Sequence, residues 1–355
     1  MSIILFIAVL AILILAHELG HFIAAKKSGI RIDEFGIGFP PRLFKVRKGE
    51  TVYSINLIPF GGFVKIHGED GSTGSPQVAI DPRSFTAKSI GIRALVISAG
   101  VIFNVIFAWL VITVAYSTGM PSSVSAVPAG AEIRDSKIII LNIQNGSPAE
   151  EAGLKTGDQL LNFGSTDQVF NFIEENKGKE IEINYKRGDE TFTAKAVPRT
   201  NPPEGQGALG IMMDEIVIVK IPWYRAILEG LKITYQMTIS MAVAIFYFII
   251  DAVKGLVGFD QILGPVGIVS ATGTFAKMGF AYVLNFMAIL SLNLAILNIL
   301  PFPALDGGRL LFLLIEKIKG SPVSPKVTSI THGVGLIILL ILMAAITYND
   351  ILRLI

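Results

Sequence analysis

The sequence predicts a polytopic α-helical membrane protein with four transmembrane helices, a membrane-associated β-hairpin and an inserted extracytoplasmic α+β domain. Composition supports this fold class, because 52% of the 355 residues are apolar and only 16% are charged, whereas soluble domains are about 25% charged. A further observation is that long apolar runs are separated by one polar segment of ordinary globular composition. The net charge of +2 gives no indication of nucleic-acid binding.

Four segments are predicted to span the bilayer, because each is close to the roughly 20 apolar residues that a crossing helix needs. They are Ile3–Ala25, Ile90–Tyr116, Ala281–Leu300 and Ile330–Ile346. No basic residue precedes the first run, so we expect it to be kept as a helix and not to be removed as a signal peptide. A fifth apolar stretch, Ile233–Ile250, has a polar first half and is predicted to lie along the membrane surface.

Basic residues predict how these spans are oriented. They cluster after the first span, before the second, and between the third and the fourth, whereas none follows the second span until Arg134. The positive-inside rule therefore places these basic loops in the cytoplasm, and both termini and the inserted domain outside. A crossing by Ile233–Ile250 would move the last basic loop outside. The expected location is the bacterial inner (cytoplasmic) membrane.

The chain divides into four predicted parts. Residues 1–121 hold the first two spans and the hairpin loop, 122–200 form the inserted domain, 201–270 are a linker and the surface helix, and 271–355 hold the last two spans. Alternating or β-rich patterns predict four strands and one helix in the inserted domain, at Lys137–Ile143, Gln159–Phe163, Glu180–Lys186, Thr191–Val197 and, for the helix, Asp167–Asn176.

The inserted domain contains the stretch GSPAEEAGLKTGD, from Gly146 to Asp158. It resembles the signature of a PDZ domain, in the order found in bacterial protease-associated PDZ domains. The alternative is an unrelated small β-domain. A PDZ domain accommodates an extended peptide beside a strand, so the resemblance implies that this groove binds a peptide or that the domain acts as a size filter.

The strongest chemical signal is HELGH, residues His17–His21, in the later half of the first predicted span. Residues four apart share one face of a helix, so His17 and His21 can reach one metal ion. Glu18 lies one residue further round and can act as a general base on water. Such residues are costly to bury in a membrane and indicate a functional site, although a polar contact between helices is the alternative.

A catalytic zinc site usually has three protein ligands and one open position. The chain has no Cys, and His67 and His332 are each expected to be structural. Asp306 is the better candidate for the third ligand, because a carboxylate at the end of an apolar helix needs a partner. It lies in the stretch NILPFPALDGG, whose prolines end the helix and whose glycines permit close backbone approach.

HELGH and NxxPxPxLDGG together resemble the paired signature of the site-2 proteases, which are intramembrane zinc metalloproteases. The resemblance covers nearly the whole chain, including Gly100-x-x-x-Asn104 in the second span, and is greatest for the bacterial branch that contains the regulator of sigma-E protease. This chain has a single PDZ signature, and Arg309 stands where a His is common in the family.

The resemblance implies that zinc binds His17, His21 and Asp306, that Glu18 is the catalytic base, and that Asn298 contacts the substrate. It also implies regulated intramembrane proteolysis of single-span membrane proteins such as anti-sigma factors or remnant signal peptides. The rival interpretation is a non-proteolytic PDZ membrane scaffold with a structural metal site.

A β-hairpin is predicted in the loop after the first span, where Thr51–Ile58 and Gly62–Ile66 flank Pro59-Phe60-Gly61. One interpretation is a small flap in solvent. The other is a hairpin that dips toward the membrane and offers an edge strand to a substrate. Strand pairing would suit a protease, because a helical membrane segment must unwind locally before it is cut.

Overall fold

The computed structural model describes residues 2–69, 81–203, 205–256 and 263–352. In chain order its elements are α1 (Ser2–Lys27), β1 (Ile32–Lys48), β2 (Thr51–Ile66), α2 (Ile90–Thr118), β3 (Met120–Ser123), β4 (Glu132–Ile143), α3 (Pro148–Glu151), β5 (Gln159–Leu160), α4 (Thr166–Glu175), β6 (Ile181–Arg187), β7 (Glu190–Ala196), β8 (Ile211–Lys220), α5 (Trp223–Val253), α6 (Pro265–Met278), α7 (Phe280–Ile299), α8 (Asp306–Lys319) and α9 (Pro325–Leu352).

Five of the described helices are long and apolar enough to cross a membrane, judged by length and composition. Four of them, α1, α2, α7 and α9, correspond to the segments that the sequence predicts as spans, although α7 ends at Ile299, one residue before the predicted end. The fifth, α5, contains Ile233–Ile250, and its surface position remains a prediction. Helices α6 and α8 have no counterpart in the sequence prediction, because neither carries an apolar run of spanning length.

One compact unit comprises Met1–Ile112, Gly230–Ala276 and Phe286–Ile355. Within it, α1 and α2 pack very closely, because a Cβ atom at Gly20 would lie only 2.3 Å from the carbonyl oxygen of Ala99. Only glycine allows this approach. A cluster of fully buried apolar side chains, including Ala25, Ile32 and Val96, joins these helices to the sheet that follows α1.

Strands β1 and β2 form that sheet, and the turn between them lies at Gly49 and Glu50. The predicted pairing of Thr51–Ile58 with Gly62–Ile66 is wrong, because both segments belong to β2 and both pair with β1. The sequence prediction missed β1 because its glycines and prolines resemble strand breakers.

The pairing brings four segments side by side, because the first half of β2 also pairs with Arg42–Lys48 at the end of β1. Phe35 and Gly36 pair with Val64 and Phe63 in one direction and with Tyr53 and Ser54 in the other. The first part of β1, up to Ile37, therefore lies between the two halves of β2. The second half of β2 has β1 on one side, and in the described pairing no further strand on the other.

The second unit comprises Thr113–Glu229 and Lys277–Asn285. Its six-stranded sheet has the order β3-β8-β4-β5-β6-β7, and its core is built from buried side chains of β4, β6 and α4, among them Ile140, Ile183 and Val169. The four predicted strands and the predicted helix are present with shifted ends. Strands β3 and β8 were not predicted, although β8 pairs with β4 from Ile211↔Ile143 to Lys220↔Glu132.

Candidate metal centre

Three side chains from two distant parts of the chain converge inside the first unit. The Nε2 atom of His17 lies 3.2 Å from Nε2 of His21, and Oδ2 of Asp306 lies 3.0 Å from the first and 3.3 Å from the second. Among the described residues, these are the one group of three or more His, Asp or Glu side chains whose potential ligand atoms all lie within 4.8 Å of one another. The sequence predicts the same three residues as metal ligands.

Asp306 Oδ2 is buried, and neither of its two short contacts with imidazole nitrogens forms a hydrogen bond, nor does any other described residue bond to it. A buried carboxylate oxygen without a partner is costly, and two imidazole nitrogens pointing at it at short distance leave room for a shared cation. Two imidazole nitrogens and one carboxylate oxygen form a donor set that is typical of catalytic zinc sites. The chemistry of the donors therefore fits zinc.

His21 is held in the tautomer that metal binding requires. Its Nδ1 donates a hydrogen bond of 2.9 Å to the carbonyl oxygen of Val96 in α2. Since Nδ1 carries the proton, Nε2 keeps its lone pair for a metal ion.

His17 is oriented by Asn104, which is also on α2. The Asn104 Nδ2 atom lies 3.2 Å from Nδ1 of His17, while Oδ1 of the same amide is buried without a partner among the described residues. Turning the amide by 180° places Oδ1 against Nδ1–H of His17. This arrangement satisfies the buried oxygen and leaves Nε2 of His17 free to bind a metal.

Gly100 provides the space in which the two imidazoles lie. A Cβ atom at this position would lie 2.4 Å from Nε2 of His21 and 2.7 Å from Cε1 of His17. The sequence identifies Gly100 and Asn104 only as parts of a family motif. Their spacing of four residues, which puts them on one face of α2, is the signal that could have identified both as site residues.

The loop before α8 brings Asp306 to the site. Leu305 is the N-cap residue, and Asp306 is the first residue of α8. The loop folds tightly, because a Cβ atom at Gly307 would lie 2.1 Å from the carbonyl oxygen of Leu300, and one at Gly308 would lie 2.3 Å from that of Phe302. The two glycines are therefore required by close backbone approach, as the sequence predicts.

A cavity of about 540 Å³ opens beside the three converging side chains. Glu18 and Asn298, the predicted base and the predicted substrate contact, both line it. Its wall also includes the second half of β2, from Phe63 to Ile66. A Cβ atom at Gly62 would lie 3.5 Å from Cγ of Glu18, so β2 passes directly beside the predicted base.

The other two histidines lie outside the converging group. His67 lies between two carboxylates, with Nδ1 3.4 Å from Asp33 and Nε2 3.5 Å from Asp81. His332 accepts a hydrogen bond of 2.9 Å from the backbone N–H of Ala304. Arg309, which lines the cavity, forms an ion pair of 2.7 Å with Glu69.

Comparison with known proteins gives consistent matches over almost the whole chain. The sequence profile described as Peptidase family M50 matches residues 5–342. A Clostridium perfringens protein with a provisional zinc metalloprotease name is 36% identical over 349 residues, which cover 96% of this chain and 95% of that protein.

Two named bacterial proteases are similar over their full length. The regulator of sigma-W protease RasP of Bacillus subtilis is 29% identical, with 99% of each chain covered. The regulator of sigma-E protease RseP of Escherichia coli is also 29% identical, with 98% of each chain covered. A solved PDZ domain of an SdrC-like protein from Listeria monocytogenes aligns with 23% of this chain and 92% of its own length at 23% identity, with a TM-score of 0.21 that is too low to argue a shared fold.

Proposed function

Because the chain belongs to peptidase family M50, the site-2 protease family, it is a zinc metalloprotease, and we propose that it cuts peptide bonds in or near the membrane segment of membrane-anchored proteins. The observation that carries this proposal is the convergence of His17, His21 and Asp306 beside a cavity lined by Glu18. His17 and His21 lie on a helix long and apolar enough to span the bilayer.

We propose that His17 Nε2, His21 Nε2 and a carboxylate oxygen of Asp306 hold the zinc ion. When bound, zinc supplies Lewis acidity for the scissile carbonyl and lowers the pKa of water. Three protein donors leave a coordination position open, which a structural site would fill with a fourth protein ligand. This donor count, together with the family, favours a protease over the alternative of a PDZ scaffold with a structural metal.

Glu18 is the proposed general base. It follows His17 on the same helix and lines the cavity, so its carboxylate can take a proton from the attacking water and deliver it to the leaving amine. The transfer needs a carboxylate, which both accepts and donates the proton. A glutamine of the same shape cannot do this.

The second half of β2 is the proposed docking strand for the substrate. Phe63–Ile66 line the cavity, and in the described pairing this segment has β1 on one side. An unwound substrate segment can add to its other edge through backbone hydrogen bonds. Such pairing stabilises the extended conformation that cleavage requires, and Asn298, which lines the same cavity, would contact the same segment.

We propose that the substrates are single-span proteins such as anti-sigma factors or remnant signal peptides. The names of the relatives RasP and RseP, which are regulators of sigma-W and sigma-E, support the first class. We place the protein in the bacterial inner membrane with both termini and the inserted domain outside, and α5 along the outer surface. This orientation follows from the positive-inside rule, because it keeps the basic loops in the cytoplasm.

The inserted domain is proposed to be a PDZ domain that filters substrates by size or binds a peptide. Its signature residues shape the local backbone, since the Ser147 side chain caps α3 and the Asp158 carboxylate accepts from the N–H of Lys155 at 2.8 Å. Strand β3 pairs only with Ile216–Val219 of β8. The edge from Ile211 to Glu215 has β4 on one side, and a peptide could add to the other.

Cleavage of a single-span reporter by the purified protein tests the proposed function. We expect wild-type protein to cut within or next to the membrane segment, with the position read by mass spectrometry, and Glu18→Gln protein to leave the reporter intact. Cleavage only in the soluble part of the reporter, or equal turnover by Glu18→Gln, would contradict the proposal.

A further inference from the structure

The loop that brings Asp306 to the metal centre contains a residue in a costly backbone conformation. Ala304, two residues before Asp306, has a φ angle of 75°. This left-handed region is rarely adopted by residues other than glycine, and a surrounding contact must maintain it. Ala304 directly precedes Leu305, the N-cap residue of α8, so its backbone conformation sets the direction in which the chain enters the helix that begins with Asp306.

Helix α9 provides the contact through His332. The backbone N–H of Ala304 donates a hydrogen bond of 2.9 Å to Nδ1 of His332. The same imidazole packs edge-on against Phe312 of α8, with 5.6 Å between ring centroids. His332 therefore touches both the loop that precedes Asp306 and the helix that Asp306 begins.

A second contact from the same face of α9 supports the loop. Gly335 lies three residues after His332, and a Cβ atom there would lie 2.5 Å from Cβ and 2.6 Å from the carbonyl oxygen of Pro303. Residues three apart share a helix face. The backbone of α9 is thus pressed against Pro303 while His332 holds the next residue, Ala304.

We infer that His332 is a positioning residue, which fixes the Asp306 loop through its Nδ1 acceptor and so sets the zinc affinity of the site. The inference rests on the proposed role of Asp306 as a zinc ligand. His332 itself lies outside the group of converging ligand atoms, so it acts only through the loop. Outer contacts of this kind typically change metal affinity by roughly 10- to 100-fold when they are lost.

Two amide substitutions at His332 distinguish loss of the hydrogen-bond acceptor from loss of side-chain packing. The Oδ1 atom of asparagine falls where Nδ1 of histidine was, whereas the amide of glutamine reaches the position of Nε2. We expect zinc-loaded, full-length His332→Asn protein in detergent to lose zinc to a chelator within about twofold of the wild-type rate. His332→Gln protein should lose it roughly tenfold faster.

A second-site change tests the role of the backbone conformation. Glycine adopts a φ of 75° without penalty, so Ala304→Gly in the His332→Gln background should return the zinc-loss rate toward that of wild type. His67→Gln serves as a matched control, because His67 contacts Asp33 and Asp81, and its zinc-loss rate should not change.

Zinc retention by His332→Gln at the wild-type rate, or equal loss from the asparagine and glutamine variants, would overturn the inference. Asp306→Ala separates this failure from failure of the proposed function. If Asp306→Ala also holds zinc as wild type does, the ligand assignment itself is wrong. If Asp306→Ala loses zinc while His332→Gln keeps it, only the positioning role fails.

Discussion

The side-chain amide of Asn104 lies against Nδ1 of His17, the ring nitrogen that faces away from Asp306, with 3.2 Å between Nδ2 and Nδ1. The contact joins α2 to α1 at the point where the first proposed zinc ligand must be oriented. Metal binding through Nε2 requires the proton of His17 on Nδ1, so the Asn104 amide must present its oxygen to Nδ1–H as the acceptor.

Replacing Asn104 tests which atom faces His17. Asn104→Asp supplies only acceptors and should retain zinc, because a carboxylate can hold Nδ1–H as well as the amide oxygen does. Asn104→Leu has a similar size and no acceptor, and its zinc affinity should fall roughly 10- to 100-fold. Zinc affinity can be measured by competition with a chelating dye. Wild-type affinity in Asn104→Leu would contradict the role.

Gly100→Ala should displace the imidazoles, since the added methyl would lie 2.4 Å from Nε2 of His21. We expect zinc content and proteolysis to fall by roughly tenfold or more. Gly91→Ala on the same helix is the matched control, because a Cβ atom at Gly91 has no neighbour within 4 Å. That variant should keep wild-type zinc content and be as stable or more stable, by up to about 1 kcal/mol from helix propensity. Full activity in Gly100→Ala would contradict the packing.

Some of this site could be predicted from the sequence, and some could not. The periodicity of a helix places His17 and His21 together, and the cost of burying a carboxylate points to Asp306. Asn104 and Gly100 depend on how α2 packs against α1, which local patterns do not encode. The same holds for His332, which the sequence suggests is structural without indicating that it contacts Ala304.

The sheets show the same division. The sequence pattern predicts β6 and β7 almost to the residue, and buried side chains alternate with more exposed ones along most of β6 and at the end of β7. Strand β8 was missed because it follows a Pro- and Gly-rich stretch that looks like a linker. The predicted pairing within β2 is wrong because it joins segments that are neighbours in sequence, whereas the first part of β1 lies between them in the structure.

The inserted domain can be removed at a point where its ends meet. The N–H of Ile221 donates to the carbonyl of Tyr116 at 2.9 Å, so replacing Met120–Lys220 with a short Gly-Ser linker should leave the zinc content unchanged. If the domain is a filter, this variant should cut substrates whose outer domain has not been trimmed. The same deletion with Glu18→Gln is the control. A folded, zinc-loaded deletion variant that cannot cut a pre-trimmed substrate would contradict the filter.

The surface position of α5 can be tested by thiol labelling, because the chain has no Cys. Cysteines placed at Glu229 and Asp251, one within its first two turns and one near its end, should both react with an impermeant reagent added from outside. We expect α5 to stay at the surface because a further crossing would move the last basic loop outside. Labelling of the first alone in intact cells, with labelling of the second after permeabilisation, would show that α5 crosses.

The zinc content of purified protein is the most direct test of the proposed metal centre. Glu18→Gln should retain about one zinc ion per chain, as wild type does, because it removes the base and leaves the donor set in place. His17→Ala, His21→Ala and Asp306→Ala should each lose the metal while remaining folded by circular dichroism. If Asp306→Ala binds zinc with wild-type stoichiometry and affinity, the convergence of these three side chains is not the metal centre, and the proposed mechanism fails with it.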